Sequence, residues 1–192
     1  MSGKRVWTPN LKFNIISNRV EKLRRKYHSL QQLPVDIDSF MEFDCGIEII
    51  PFSGLRDRIG AEAMISMDYS SIYVDNESYM NEKFISRMKF SIAHEIGHMV
   101  LHKDFFKNQN ISSEEDWISL MENIQLKYGF LENQANNFAG ILLVQAEQLI
   151  AEINKNPRPT FAMLTRKFAV STEVIKRRLS HPDLQECVSK LT

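Results

Sequence analysis

The chain has 192 residues, of which 43% are apolar and 25% charged, so it is long enough to bury one sizeable core. Its 24 basic and 24 acidic residues balance to a net charge of zero, which excludes recruitment of nucleic acid or membrane by a global field. Cys45 and Cys187 form no C-x-x-C pair, which excludes cysteine-ligated zinc and favours a reducing compartment. No apolar segment resembles a signal peptide or a membrane span, so we expect a cytoplasmic protein without membrane contact.

The first half of the chain predicts two helices followed by a small twisted β-sheet. A charged helix is expected over Asn18 to Leu30, and a second helix from about Asp36 to Asp44. Apolar, β-rich stretches then predict three strands, which are Ile47 to Phe52, Glu62 to Met67 and Ser71 to Asp75. Gly54 to Gly60 is interpreted as a loop, and Asp68 to Ser70 as a turn.

The last of these strands, Ser71 to Asp75, is interpreted as an edge strand. An edge strand can pair with an extended peptide, because main-chain hydrogen bonds hold a substrate whatever its side chains. The alternative is an interior strand whose Ile72 and Val74 fill the core.

The most informative motif is His94-Glu95-Ile96-Gly97-His98, an H-E-x-x-H pattern within an apolar stretch. Apolar residues recur at helical spacing upstream of it, so the motif is predicted to lie on a buried helix. Residues four apart share one face of a helix, so the two imidazoles can bind one metal ion and Glu95 can act beside it as a base. The alternative is a core helix with two hydrogen-bonded histidines.

A catalytic zinc site needs a third protein ligand, and His102 is excluded by helix geometry. It lies about 12 Å along the helix axis from His94, too far for one ion. Met99 to Leu101 offer no Gly at which the chain could turn back. We expect His102 to lie behind the ligands or at the helix end, where an imidazolium suits the helix dipole.

Glu132 is the predicted third ligand. It lies on a second helix whose apolar residues recur at helical spacing, and a carboxylate there is costly unless it is paired or bound to metal. Asn136, one turn later, could orient a metal-bound imidazole. The alternative is that Glu132 is a first-turn acid favoured by the helix dipole.

Two further segments have open interpretations. Asp104 to Asp116 is polar and either shapes a substrate cleft or only connects two helices, with a helix start at Ser113. Near the end of the chain, Phe161 to Phe168 and Thr172 to Leu179 predict two helices joined by a tight turn, with Ser171 as an N-cap. With Arg177 and Arg178 on the second helix, this tail resembles a helix-turn-helix that could contact DNA, although such tails are more often packing units.

The segment Arg87 to His102, together with Glu132-x-x-Ala135-Asn136-x-Phe138-Ala139, resembles the ImmA/IrrE family of metallo-endopeptidases over roughly residues 30 to 180. The resemblance implies that His94, His98 and Glu132 bind one zinc ion and that Glu95 is the catalytic base. It also implies a protein substrate, namely a helix-turn-helix repressor often encoded nearby. Gln145 departs from the family pattern, which has Pro after the Leu-Leu pair, so the end of that helix is open.

We therefore predict an α+β, zincin-like fold in which a small sheet packs against the active-site helix and a second ligand-bearing helix, with a helical tail. The expected segments are a basic extension and helix over 1–30, a zinc metallopeptidase domain over 31–155 and the tail over 156–192. The predicted activity is regulatory peptide-bond hydrolysis; the alternatives are a DNA-binding regulator, with contact through the tail, and an inactive metal-bound interaction protein. The group that stabilises the oxyanion stays open among five candidates, which are Tyr69, Tyr73, Tyr79, Tyr128 and His102.

Overall fold

The structure is a computed structural model that describes residues 10–109, 111–127 and 129–184. It confirms the predicted α+β class, with a small sheet, a long central helix and a helical C-terminal part. The α-helices in chain order are α1 (Phe13–Lys26), α2 (Ile37–Ser39), α3 (Leu55–Ile59), α4 (Asn76–Tyr79), α5 (Ile85–Lys107), α6 (Glu114–Lys127), α7 (Gly129–Leu143), α8 (Ala146–Lys155), α9 (Phe161–Phe168) and α10 (Thr172–Leu179). A π-helical turn at Phe40–Asp44 continues α2, and 3-10 turns lie at Ser29–Gln31 and Glu82–Phe84.

The sheet has three strands, β1 (Glu48–Phe52), β2 (Ala63–Ile65) and β3 (Ser71–Asp75), in the order β1-β3-β2. β3 pairs in parallel with β1 and antiparallel with β2. The prediction that Ser71 to Asp75 is an edge strand is therefore wrong, because it is the central strand. Its Ile72 and Val74 are fully buried, as the alternative interpretation expected. The edge strand beside the metal-motif helix is β2.

The predicted loop at Gly54 to Gly60 contains the short helix α3. Gly54 and Gly60 flank this helix, and both have φ of +71°, in the left-handed region. Glycine adopts that region without the steric cost of a Cβ atom, so the two glycines start and stop the helix. Leu55 anchors it to the interior of the protein, where it is 4% exposed.

α5 and α7 pack closely, and Gly97 makes this possible. A Cβ atom at Gly97 would lie 3.1 Å from both the Cα and the carbonyl oxygen of Ala135, and 3.3 Å from Cβ of Phe138. Small residues at the crossing therefore let the two backbones approach. This contact brings the helix with the two histidines of the motif against the helix with Glu132.

The first and last helices join the same core. Ile16 and Val20 of α1, and Ile175 and Leu179 of α10, belong to one buried cluster with the residues of α5 and α7. The three segments predicted from the sequence thus share one hydrophobic core. α7 is the element that α1, α5, α6 and α10 all contact.

Two arginines, one on α1 and one on α10, are buried. Arg24 is 3% exposed and donates a hydrogen bond to the carbonyl of Leu142 at 2.6 Å, and Arg178 is 1% exposed and donates to that of Val144 at 2.7 Å. The last carbonyls of a helix have no partner within the helix, so these guanidinium groups cap the C-terminal end of α7.

The end of α7 explains how Gln145 can replace proline. α7 ends at Leu143, and Gln145 is the N-cap of α8 with φ of −70°. That is the φ value that a proline ring imposes. The backbone at this position is thus compatible with the family pattern although the side chain differs.

Candidate metal centre and active-site pocket

Three side chains from two helices converge at one point. His94 and His98 lie one turn apart on α5, and Glu132 lies in the first turn of α7. Nε2 of His98 is 3.0 Å from Nε2 of His94 and 3.1 Å from Oε1 of Glu132, while Nε2 of His94 is 3.3 Å from Oε2 of Glu132. The sequence reasoning that put these three residues together is thus matched by their placement.

These distances fit a metal ion. With zinc–ligand bonds of 2.0–2.1 Å, any two corners of a tetrahedron are about 3.3 Å apart. The three nitrogen and oxygen atoms are separated by 3.0 to 3.3 Å, close to that value. Two imidazoles and one carboxylate also match a donor set that leaves a fourth corner open. His94, His98 and Glu132 together can therefore hold a metal ion.

Asn136 orients the first imidazole. Its Oδ1 lies 3.0 Å from Nδ1 of His94. An amide oxygen accepts only, so Nδ1 of His94 carries the proton and its Nε2 lone pair faces the metal position. Asn136 therefore has the orienting role that its place one turn after Glu132 suggested.

His102 and Gln134 orient the second imidazole. His102 Nε2 lies 3.3 Å from Oε1 of Gln134, and its Nδ1 lies 3.1 Å from Nδ1 of His98. When His102 donates from Nε2, its Nδ1 accepts a hydrogen bond from His98, which leaves Nε2 of His98 as a lone-pair donor. His102 thus lies behind His98, as one of its two expected positions had it.

The expectation of a charged His102 at the helix end is wrong. α5 continues to Lys107, so His102 is more than a turn from its end. Burial, reinforced by His98, lowers the pKa of His102 to about 3. The hydrogen bonds that link Gln134 to His102 and His102 to His98 also require a neutral His102 ring.

The electrostatics at the convergence point favour a positive charge. Burial alone would raise the pKa of Glu132, but its hydrogen bonds with His94 and His98 outweigh burial and hold the pKa well below its usual range. Burial would lower the pKa of His94, but contacts with Glu132 and Glu95 outweigh it and raise the pKa. An ionised carboxylate therefore faces imidazoles that attract either a proton or a metal ion.

Glu95 lies beside this centre and is held by the sheet. It is 5% exposed, and its Oε2 accepts a hydrogen bond from the backbone N–H of Ile65 at 3.1 Å. Burial raises the pKa of its carboxyl, although His98 and His94 oppose that shift. A buried carboxyl with a raised pKa is a stronger proton acceptor than an exposed one, which suits a general base. The contact with Ile65 left no signal in the sequence.

The side chains of His94, His98, Glu132 and Glu95 open onto a pocket of about 350 Å³. Its other walls come from β2 and the residues before it, from α5 one and two turns before His94, and from Met121 and Glu122 of α6. None of the described residues of Asp104 to Asp116 lines the pocket; only the helix that follows this polar segment reaches it, through Met121 and Glu122. That helix begins as predicted, because Ser113 Oγ accepts a hydrogen bond from the N–H of Asp116 at 3.1 Å.

None of the described candidates for the oxyanion-stabilising group lines the pocket. Three of the candidates, Tyr69, Tyr73 and Tyr79, do not line the pocket, and a fourth, His102, lies behind His98. Tyr128 lies outside the described residues.

The tail has the predicted helix-turn-helix outline. Ala169, with φ of +52°, ends α9, and Ser171 caps α10 by accepting a hydrogen bond from Val174 N–H at 3.3 Å. Arg178, however, is buried and paired with both carboxylate oxygens of Asp183 at 2.7 Å. Arg178 is therefore not available to contact DNA. Arg177, the other arginine of the pair, is exposed.

The fold and the site define a metallopeptidase-like domain, and comparison with known proteins agrees. The profile of a peptidase family described as the IrrE N-terminal-like domain matches residues 85–180, which span α5 to the end of α10. The chain belongs to this family. No curated protein matches the chain.

A solved structure of a Mycobacterium tuberculosis transcriptional regulator is similar to this chain, with a TM-score of 0.57 and 18% identity. The match covers 90% of this chain and 50% of that one, so this chain spans half the length of that protein. At this identity, the likeness concerns the fold alone.

The sequence predicted a reducing compartment from the two cysteines and predicted no membrane-spanning segment. Cys45 is a free thiol, and Cys187 lies outside the described residues. Within the described part of the chain, no helix combines the length and the apolar character needed to cross a bilayer.

Proposed function

We propose that this protein is a zinc-dependent endopeptidase in which His94, His98 and Glu132 hold the ion and Glu95 is the general base. One observation carries the proposal. Three oriented donor atoms lie at tetrahedral spacing on the floor of a pocket, with a buried carboxylate of raised pKa beside them.

The roles follow from the geometry. His94, His98 and Glu132 would hold a zinc ion, which would supply a water of lowered pKa and polarise the peptide carbonyl. Glu95 would act as the general base towards the attacking water and would return the proton to the leaving amine, since its carboxyl is buried and lies beside the three donor atoms. Asn136 and His102 keep the ligand lone pairs directed at the ion.

A substrate backbone would pair along β2, because β2, and not β3 as predicted, is the edge strand beside the pocket. Glu62 and Ser66 bond to β3, so the backbones of Ala63 and Ile65 face the opposite side. Ile65 is already used there, because its N–H donates to Glu95 and its carbonyl accepts from Trp117 Nε1 at 2.8 Å. Ala63 lines the pocket and is positioned to pair with an extended peptide.

A helix-turn-helix repressor is the proposed substrate, and the cytoplasm is the proposed location. Both rest on the family resemblance, since cleavage of a repressor requires access to DNA-binding proteins. The free thiol of Cys45 suits a reducing compartment.

The test compares zinc-loaded wild type with Glu95→Gln on two substrates, fluorescent casein and a purified helix-turn-helix repressor encoded beside the gene. Glu95→Gln removes the base and spares the ligands, so we expect it to keep its zinc and lose cleavage by about 100-fold or more. A wild type that cleaves neither substrate, or a Glu95→Gln variant that cleaves normally, would contradict the proposal.

A further inference from the structure

A buried carboxylate and an arginine form one end of the active-site pocket. Glu62 directly precedes β2 and is 6% exposed, and Arg87 lies in the first turn of α5 with its side chain 53% exposed. Nε of Arg87 lies 2.8 Å from Oε2 of Glu62, and both residues line the same pocket as His94 and Glu95.

This pair lies at a fixed distance from the metal centre. Arg87 and His94 are seven residues apart on α5, which corresponds to about 10 Å along the helix. Glu62 and Ile65 are three residues apart on the extended edge, which is also about 10 Å. Helix and strand therefore run side by side from the pair to the catalytic centre, and a peptide lying along β2 would span that distance with about three residues.

The ion pair with Glu62 fixes the side chain of Arg87 through Nε and leaves the two terminal nitrogens of the guanidinium group available. Nε of Arg87 makes the 2.8 Å contact with Glu62, and within the described chain no side-chain hydrogen bond is found from the terminal nitrogens of Arg87. A second guanidinium, that of Arg56, lies 3.9 Å from Oε1 of Glu62. The buried carboxylate is thus neutralised by Arg87, while the exposed side of Arg87 keeps two nitrogen donors in the geometry that matches a carboxylate.

We propose that Arg87, positioned by Glu62, is a specificity-determining residue that binds an aspartate or glutamate side chain of the substrate about three residues from the cleaved bond. This inference rests on the proposed peptidase function and adds a substrate preference to it. A substrate with lysine or arginine at that position would face the guanidinium of Arg87 and be disfavoured.

The first test is a cleavage profile on a peptide mixture made from a digested proteome, read by mass spectrometry. For zinc-loaded wild type, acidic residues should be enriched two to four positions from the cut on one side. Arg87→Glu should reverse the preference towards lysine and arginine. Lys89→Glu is the matched control, because it makes the same charge change two residues along α5 at a position outside the pocket, and its profile should equal that of wild type.

A binding measurement separates failure of this inference from failure of the peptidase proposal. Two fluorescein-labelled ten-residue peptides of alanine and serine, with either glutamate or glutamine at every second position, are titrated against zinc-loaded Glu95→Gln protein. We expect the glutamate peptide to bind about tenfold more tightly, and Arg87→Glu to abolish the difference while Lys89→Glu keeps it. Absence of cleavage by wild type would defeat the peptidase proposal alone. Equal affinity for the two peptides, or profiles that Arg87→Glu leaves unchanged, would overturn the assignment of Arg87.

Discussion

The backbone N–H of Ile65 donates a hydrogen bond to Oε2 of Glu95, over 3.1 Å. The carbonyl of the same residue accepts a hydrogen bond from Nε1 of Trp117 on α6. The Trp117 ring also packs against Phe106, which in turn contacts the ring of His98. Trp117 therefore supports the proposed base through Ile65 and a proposed ligand through Phe106.

Replacing Trp117 with phenylalanine should isolate the hydrogen bond to Ile65. Phenylalanine keeps an aromatic ring in contact with Phe106 but leaves the buried carbonyl of Ile65 without its donor, so the free energy of unfolding should fall by about 1–3 kcal/mol. Zinc should remain bound, while kcat should fall several-fold with little change in KM, because Glu95 is held less firmly. Chemical denaturation and steady-state kinetics give these values.

Tyr69→Phe is the matched control. The ring of Tyr69 packs against that of Trp117, and its hydroxyl has no hydrogen-bond partner among the described residues. Removing that hydroxyl should leave stability and kcat unchanged or slightly higher. Equal effects of the two variants would show that aromatic packing, and not the bond to Ile65, supports Glu95.

Gly97→Ala should separate the two helices that carry the metal site. The added methyl group would lie 3.1 Å from the backbone of Ala135, which cannot turn aside as a side chain can. We expect a loss of stability of about 1–3 kcal/mol, since overpacking a close contact forces backbone shifts. Zinc affinity should fall as well, because His94 lies on α5 and Glu132 on α7, and the added methyl group would push these two helices apart.

Gly140→Ala provides the comparison within the same helix pair. A Cβ atom at Gly140 of α7 would meet nothing within 4 Å. Alanine there should raise the free energy of unfolding by roughly 0.5–1 kcal/mol, because it reduces the entropy of the unfolded chain. Urea denaturation with zinc titration distinguishes the variants. A Gly97→Ala protein with wild-type stability and affinity would contradict the close-contact account.

His181 should make the tail of the molecule sensitive to acid. Burial, and after it the guanidinium of Arg178, lowers the pKa of His181 from 6.5 to about 4. Between these values the unfolded chain binds a proton that the folded chain does not, so stability is complete above about pH 6.5 and is lost as the pH falls towards 4. His181→Gln should make the melting temperature of metal-free protein less dependent on pH in this window. An unchanged pH dependence would show that His181 does not contribute.

Local patterns predicted the metal-motif helix and Glu132 because helical periodicity and the i, i+4 spacing of His94 and His98 depend only on nearby residues. The order of the strands could not be predicted in the same way. Ser71 to Asp75 becomes central only because Glu48 to Phe52 pairs with it across more than twenty residues of chain. No local pattern contains that information.

Burial of charged residues was also beyond the sequence. Arg24 and Arg178 sit in runs of basic residues that resemble solvated faces, yet each caps a carbonyl at the end of α7. Their partners lie 118 and 34 positions away in the chain. The contact between Arg87 and Glu62 likewise depends on how β2 meets α5, and a single sequence does not record it.

The most direct test of the central claim is the zinc content of four proteins after reconstitution and gel filtration, measured by inductively coupled plasma mass spectrometry. Wild type and Glu95→Gln should each contain one zinc ion per chain, because all three ligands are intact. His98→Ala and Glu132→Ala should contain almost none, since each loses one of three protein ligands. A wild type without zinc, or a Glu132→Ala variant with a full complement, would contradict the account.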